Sequence, residues 1–133
     1  MFTGTITAIL LGTLIWTIVV LAPFLHVTID IKTTESTVNV SSCGYTSSIN
    51  IDDIIELKLM DKLPDDHFFK SNGGATESYL VGRFKGNTYG KCSLYIFKDV
   101  SPVFMIKTAD QTVFLNSKKD GEIVNLYNAI KNE

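Results

Sequence analysis

The hydrophobic pattern of this chain has two regimes that meet near residue 27. Met1 to Ile29 contain no Asp, Glu, Lys or Arg, and residues 7–25 are almost continuously apolar. Nineteen residues at about 1.5 Å each give a helix of roughly 28 Å, close to the ~30 Å hydrocarbon core of a bilayer. A helix satisfies its own backbone polar groups in such a medium, and the hydroxyls of Thr13 and Thr17 can bond back one turn. Pro23 sits near the end, where a lost helical hydrogen bond costs least. The run predicts one transmembrane helix over residues 6–25. A cleaved secretory signal would need a basic start, but Met1 to Ile6 carry no Lys or Arg, and Leu21-Ala22-Pro23 is a poor cleavage site. A buried soluble helix is the other alternative, but a surface helix would show a polar face, and none exists here.

Beyond residue 27 the pattern alternates. Val27 to Lys32, Thr37 to Val40 and Ser48 to Ile51 have period two and are rich in β-branched residues. Cys43-Gly44 separates the second from the third. Ile54 to Met60, Tyr79 to Lys85, Lys91 to Lys98, Val103 to Thr108 and Thr112 to Asn116 continue the strand signals. Gly86-Asn87-Thr88-Tyr89-Gly90 predicts a hairpin connection, and Asp99 to Pro102 a turn. Residues 61–78 show no period and carry Pro64, Asn72, Gly73 and Gly74, which predicts a long loop. The chain closes on a helix. Ser117 with Asp120 resembles a capping box, and Ile123, Leu126, Tyr127 and Ile130 form one apolar stripe.

The expected fold is therefore mainly β. It is a small antiparallel barrel of seven or eight strands, capped by a C-terminal α-helix and preceded by one transmembrane helix. Residues 1–26 form the anchor and 27–133 one domain. All 12 Lys and Arg and all 14 Asp and Glu lie in that domain, interspersed, for a net charge of −2. No basic stripe exists, so nucleic acid is not an expected partner. Cys43 and Cys92 fit neither a metal finger nor a redox Cys-x-x-Cys pair. They are either two part-buried thiols or a cross-link adding about 4 kcal/mol on the loop-entropy account.

The order of elements resembles that of bacterial pleckstrin-homology-like domains found behind membrane helices. The likeness rests on Ile49-Asn50-Ile51-Asp52-Asp53-Ile54, Lys62-Leu63-Pro64, Val81-Gly82-Arg83-Phe84-Lys85-Gly86, Leu94-Tyr95-Ile96-Phe97, Pro102-Val103 and the helix Ile123 to Ile130. It covers about residues 27 to 131. The resemblance implies a bent seven-stranded barrel capped by the helix, acting as a module that binds lipids, peptides or proteins. The eukaryotic lipid-binding pattern places closely spaced Lys and Arg on the first hairpin. This sequence has only Lys32 there, which argues against phosphoinositides.

No catalytic set is apparent. His26 lies at the anchor edge, and His67 shares a loop with Asp66 and Ser71, which gives no preorganised nucleophile and base. Asp65-Asp66-His67 are adjacent, so their side chains diverge, and no metal or cofactor is expected. Phe68-Phe69-Lys70 is the candidate partner-binding element. Either both rings fold under the loop, or one is exposed beside the Lys to dock a partner or meet headgroups. Arg83, Lys85 and Lys91 bracket one hairpin and are the candidate lipid-binding residues, the alternative being a solvated face. The expectation is a non-enzymatic binding module, tethered to the cell membrane by residues 6–25, that engages a protein or peptide partner. Recognition of anionic lipid headgroups, or a structural place in a membrane complex, is the alternative. Lys32 after the span and no cation before it put the domain on the cytoplasmic side.

Overall fold

The computed structural model describes residues 27–132. The anchor expected at residues 6–25, and His26, lie outside the described residues. Among those that are described, no helix is long and apolar enough to cross a membrane.

The described chain forms nine strands in two sheets and one terminal helix. The first sheet holds β1 (Asp30–Thr33), β2 (Thr37–Ser42) and β3 (Tyr45–Asn50), in that order. Cys43 and Gly44, at φ of 52° and 84°, make the two-residue turn between β2 and β3. A short 3-10 turn, Ile51–Asp53, leads to the second sheet. That sheet contains β4 (Ile54–Met60), β5 (Phe69–Ala75), β6 (Tyr79–Gly86), β7 (Gly90–Phe97), β8 (Val103–Thr108) and β9 (Thr112–Leu115). Its spatial order is β4-β8-β9-β7-β6-β5, with β7 and β9 parallel and every other pair antiparallel. The helix α1 spans Glu122–Lys131.

The alternation read from the sequence sorts residues onto two apolar clusters. Val38, Val40 and Ile49 from the small sheet meet Val81, Tyr95, Phe104, Ile106 and Leu115 from the large one. Ile123, Leu126 and Ile130 of α1 join that same cluster, and Tyr127 stacks edge-on against Phe104 with centroids 5.7 Å apart. The helix thus covers the inner core, as its stripe predicts. It starts later than expected. Gly121, in a left-handed conformation, is the N-cap, and the Ser117 hydroxyl instead accepts from the Lys119 N–H at 3.1 Å. The capping box does not form, because Ser117 lies outside the helix.

The second cluster, on the opposite face of the large sheet, contains Phe84, Leu94, Ile96, Met105 and Phe114. Its cover comes from topology. β4 and β5 are the two edges of the six-stranded sheet, so residues 61–68 must cross the whole outer face. Five strand gaps of roughly 4.8 Å make about 24 Å, and the steps from Met60 to Phe69 reach about 30 Å at most. The strap therefore has little slack. Leu63 and Phe68 pack from it onto the outer cluster.

Two further expectations need correction. The expected loop 61–78 contains an edge strand, β5. Its residues are mostly exposed on both faces, so no alternation marks it. It pairs through backbone, and Gly73 and Gly82 face each other at φ of 132° and 131°, where added Cβ atoms would strike the opposing strand. The expected barrel of seven or eight strands is not closed: no ladder joins the small sheet to the large one among the described residues.

After β9 the Asn116 N–H still donates to the Tyr95 carbonyl of β7 at 3.1 Å, and its side chain carries the pairing on to Phe97. Fully buried, it accepts from the Phe97 N–H at 2.8 Å and donates to the Phe97 and Val100 carbonyls at 2.8 and 3.1 Å. Replacing Asn116 with Ala strands buried backbone groups of Phe97, and the expected loss is about 2–3 kcal/mol in urea unfolding. A loss well under 1 kcal/mol would show that water takes the amide's place.

Candidate functional site

The open seam between the sheets is where the unusual chemistry lies. β3 is an edge strand, and two of its outward carbonyls accept from side chains instead of a neighbouring strand. Arg83 Nη2 donates to the Thr46 carbonyl at 2.8 Å, and Gln111 Nε2 to the Ser48 carbonyl at 3.4 Å. Alternation along β6 turns Arg83 to the inner face, one row beyond Val81 and Tyr95. There Nη1 donates to Ser93 Oγ at 2.8 Å, Tyr95 OH at 3.1 Å and Ser47 Oγ at 3.4 Å. Ser47 and Tyr95 share a further hydrogen bond of 2.8 Å. The guanidinium also lies over the Tyr45 ring at 5.7 Å, while the Tyr45 hydroxyl donates to Asn72 Oδ1 on β5 at 2.8 Å. One half-buried cation therefore ties three strands of two sheets together. Among the described residues it has no carboxylate within ion-pair distance, the one ion pair there being Lys119–Glu122.

The seam opens into a cleft of about 400 Å³ lined by Ser47, Arg83, Lys91, Ser93, Asp110 and Gln111, among others. Outward along the same face runs a row set by strand register: Phe69 on β5 opposes Lys85 on β6, and Lys85 opposes Lys91 on β7. Cross-strand partners share a face. Phe69 is 57% exposed, and both lysines are exposed. The fold thus brings Phe69, Lys85, Lys91 and Arg83 onto one surface. Phe68 and Lys70 lie elsewhere: the Phe68 ring is half-buried, edge-on to Phe114 at 5.8 Å, and Lys70 opposes Phe84.

Asp66 holds this surface together. Burial acts to raise its carboxyl pKa, but N–H donors from Tyr89 at 2.9 Å and Thr88 at 2.8 Å outweigh it and keep the group below its ordinary 3.8. The Asp66 carbonyl also accepts from the Asn87 N–H at 2.9 Å. The strap is thereby pinned to the tip of the β6–β7 hairpin. Gly86 must lack a side chain, because a Cβ there would fall on the Asp66 carboxylate. Asp65 and His67 are exposed on either side, so the acidic triplet is split between a clamp and solvent. Cys92 is buried behind the same hairpin, where burial and the Asp66 charge push its thiol up to about 12. No disulfide joins it to Cys43, which packs with the other cluster.

Sequence reasoning singled out Arg83 and Lys91 but missed Ser47, Ser93 and Tyr95. Ser93 and Tyr95 are inward positions on a strand read as Lys91 to Lys98, where the signal was a polar residue on a core-facing position, while Ser47 lies just before the strand read as Ser48 to Ile51, which the fold extends back to Tyr45. A family model, Bacterial PH domain, matches residues 29–129. No curated protein and no solved structure matches the chain.

The depressed Asp66 value sets a pH dependence. Its clamp stabilises the fold above the unfolded-state value near 3.8 and is lost as pH falls through the lower folded-state value. The thermal-stability margin of the wild type over Asp66→Asn should be flat from pH 5 to 7 and shrink below pH 3.8. Equal margins at pH 3 and pH 7 would show that the carboxylate is not the clamp.

Proposed function

The chain belongs to the bacterial PH domain family, and we propose that it is a non-enzymatic binding module, held on a membrane by residues 6–25, that captures an extended segment of a protein partner along β5. One observation carries this reading: β5 is a seven-residue edge strand of the large sheet, with Phe69 57% exposed at its start. An edge strand offers backbone donors and acceptors to an added strand, and an exposed ring supplies an anchor. A residue added opposite Phe69 would extend the row Phe69-Lys85-Lys91, with Lys85 about 10 Å away across β5, which favours acidic side chains in the partner. Confinement by the anchor raises the effective concentration for partners on the same membrane. Lys32 supports a cytoplasmic domain.

A second reading has its own support. In the small sheet Asp30, Ser41 and Thr46 share one row, so the chain reaches β1 about 10 Å from the carbonyl that Arg83 grips. At most roughly 14 Å of chain separates residue 26 from Asp30, so this reading turns the row Phe69-Lys85-Lys91 towards the membrane surface. Two cations and an aromatic ring in that position suit an anionic lipid surface.

One experiment separates the two. A photo-crosslinker placed at Ser71 of the full chain in cells should label a protein, and Phe69→Ser should weaken that product severalfold while changing stability by less than about 1 kcal/mol. Labelling of lipid, sensitive to salt in isolated membranes, would favour the second reading. A protein product that Phe69→Ser leaves unchanged would remove β5 from the account.

A further inference from the structure

We propose that the cleft between β3 and the β6–β7 hairpin is a binding site for a phosphomonoester, with Arg83 and Ser93 as its floor and Lys91 at its rim. The proposal rests on hydrogen-bond accounting at the seam, independently of what β5 captures. The oxygens of Ser47, Ser93 and Tyr95 all accept from Arg83 Nη1. Of their three protons, one is used between Ser47 and Tyr95. The Ser93 proton, and the one left on that pair, have no acceptor among the described residues. Ser93 is only 5% exposed and lines the cleft, so its hydroxyl proton is available at the cleft wall. Arg83 adds fork hydrogens beyond the four bonds it makes, and its charge is met by dipoles alone among the described residues.

A cluster with surplus donors and a part-buried cation that has no acid within ion-pair distance among the described residues is complementary to an anion. Lys91 brings a second positive charge, which suits a dianionic monoester over a carboxylate or a diester. Asp110 also lines the cleft and opposes an anion, so its charge limits affinity. The volume of about 400 Å³ fits a small ligand. No residue of the first hairpin, whose only cation is Lys32, lines the cleft.

The chemistry could be presented by a soluble metabolite or by a lipid headgroup, and the test has an arm for each. Full-length protein in phosphate-free detergent is titrated with glycerol 3-phosphate, and hydrogen exchange is followed in nanodiscs containing phosphatidic acid or phosphatidylglycerol. Saturable binding of glycerol 3-phosphate assigns a soluble ligand. Protection around residues 91–93 by phosphatidic acid alone, a monoester, assigns a headgroup. In whichever arm binds, Ser93→Ala should weaken binding about tenfold, the expected loss of one hydrogen bond to a charged group, and Asp110→Asn should tighten it severalfold. Arg83→Gln risks unfolding the seam, so these two variants carry the result. No saturation in either arm, an unchanged affinity in Ser93→Ala, or equal protection by phosphatidylglycerol would overturn the proposal.

Discussion

Where a backbone ladder would close this β-sandwich, a guanidinium stands instead. Arg83 reaches from β6 to the Thr46 carbonyl on β3 and to hydroxyls on β3 and β7, with Gln111 repeating the device at Ser48. A ladder would have consumed the edge of β3 residue by residue. Side-chain donors take only two of its carbonyls and leave space between the sheets, and that space is the cleft. The packing of Val38, Val40 and Ile49 against the large sheet depends on the same join. In the proposed reading stability and recognition share one residue, since the half-buried charge that staples the sheets is also the floor of the proposed anion site.

The second constraint is the route of the chain. Because β4 and β5 are opposite edges of the large sheet, the segment between them becomes a strap over the outer face, and the central strands are buried on both sides. Asp66 converts that strap from a cover into a positioning device. Its carboxylate takes the N–H groups at the hairpin tip, which fixes the strap two residues before Phe68 relative to the strands bearing Lys85 and Lys91. The exposed row Phe69-Lys85-Lys91 is then a consequence of register and of one clamp.

Much of this was legible in the residues. Eight of the nine strands were marked in the sequence, the early ones by period-two alternation and the central ones, buried on both faces, as short apolar runs between turn signals, and the stripe Ile123-Leu126-Ile130 gave the helix its face. β5 was not legible because an exposed edge strand with Gly73 and Gly74 has no hydrophobic period to read. The expected capping box failed because Gly121 ends the preceding turn in a left-handed conformation and resets the helix start. The candidate groups Phe68-Phe69-Lys70 and Arg83-Lys85-Lys91 were read as two separate surfaces. Strand register splits the first and merges Phe69 with the second, and long-range register cannot be read from local pattern. Ser47, Ser93 and Tyr95 went unnoticed because a lone polar residue at an inward position gains meaning only when its partner across the seam is known.

The central claim is that the Arg83 fork holds the small sheet to the large one. Arg83→Lys keeps the charge and removes the fork. Native-state hydrogen exchange on this variant tests the claim directly. The account predicts that the amides pairing β2 with β3 exchange at least tenfold faster than in the wild type, while those of β7, β8 and β9 keep their protection. Unchanged protection across β2 and β3 would contradict it.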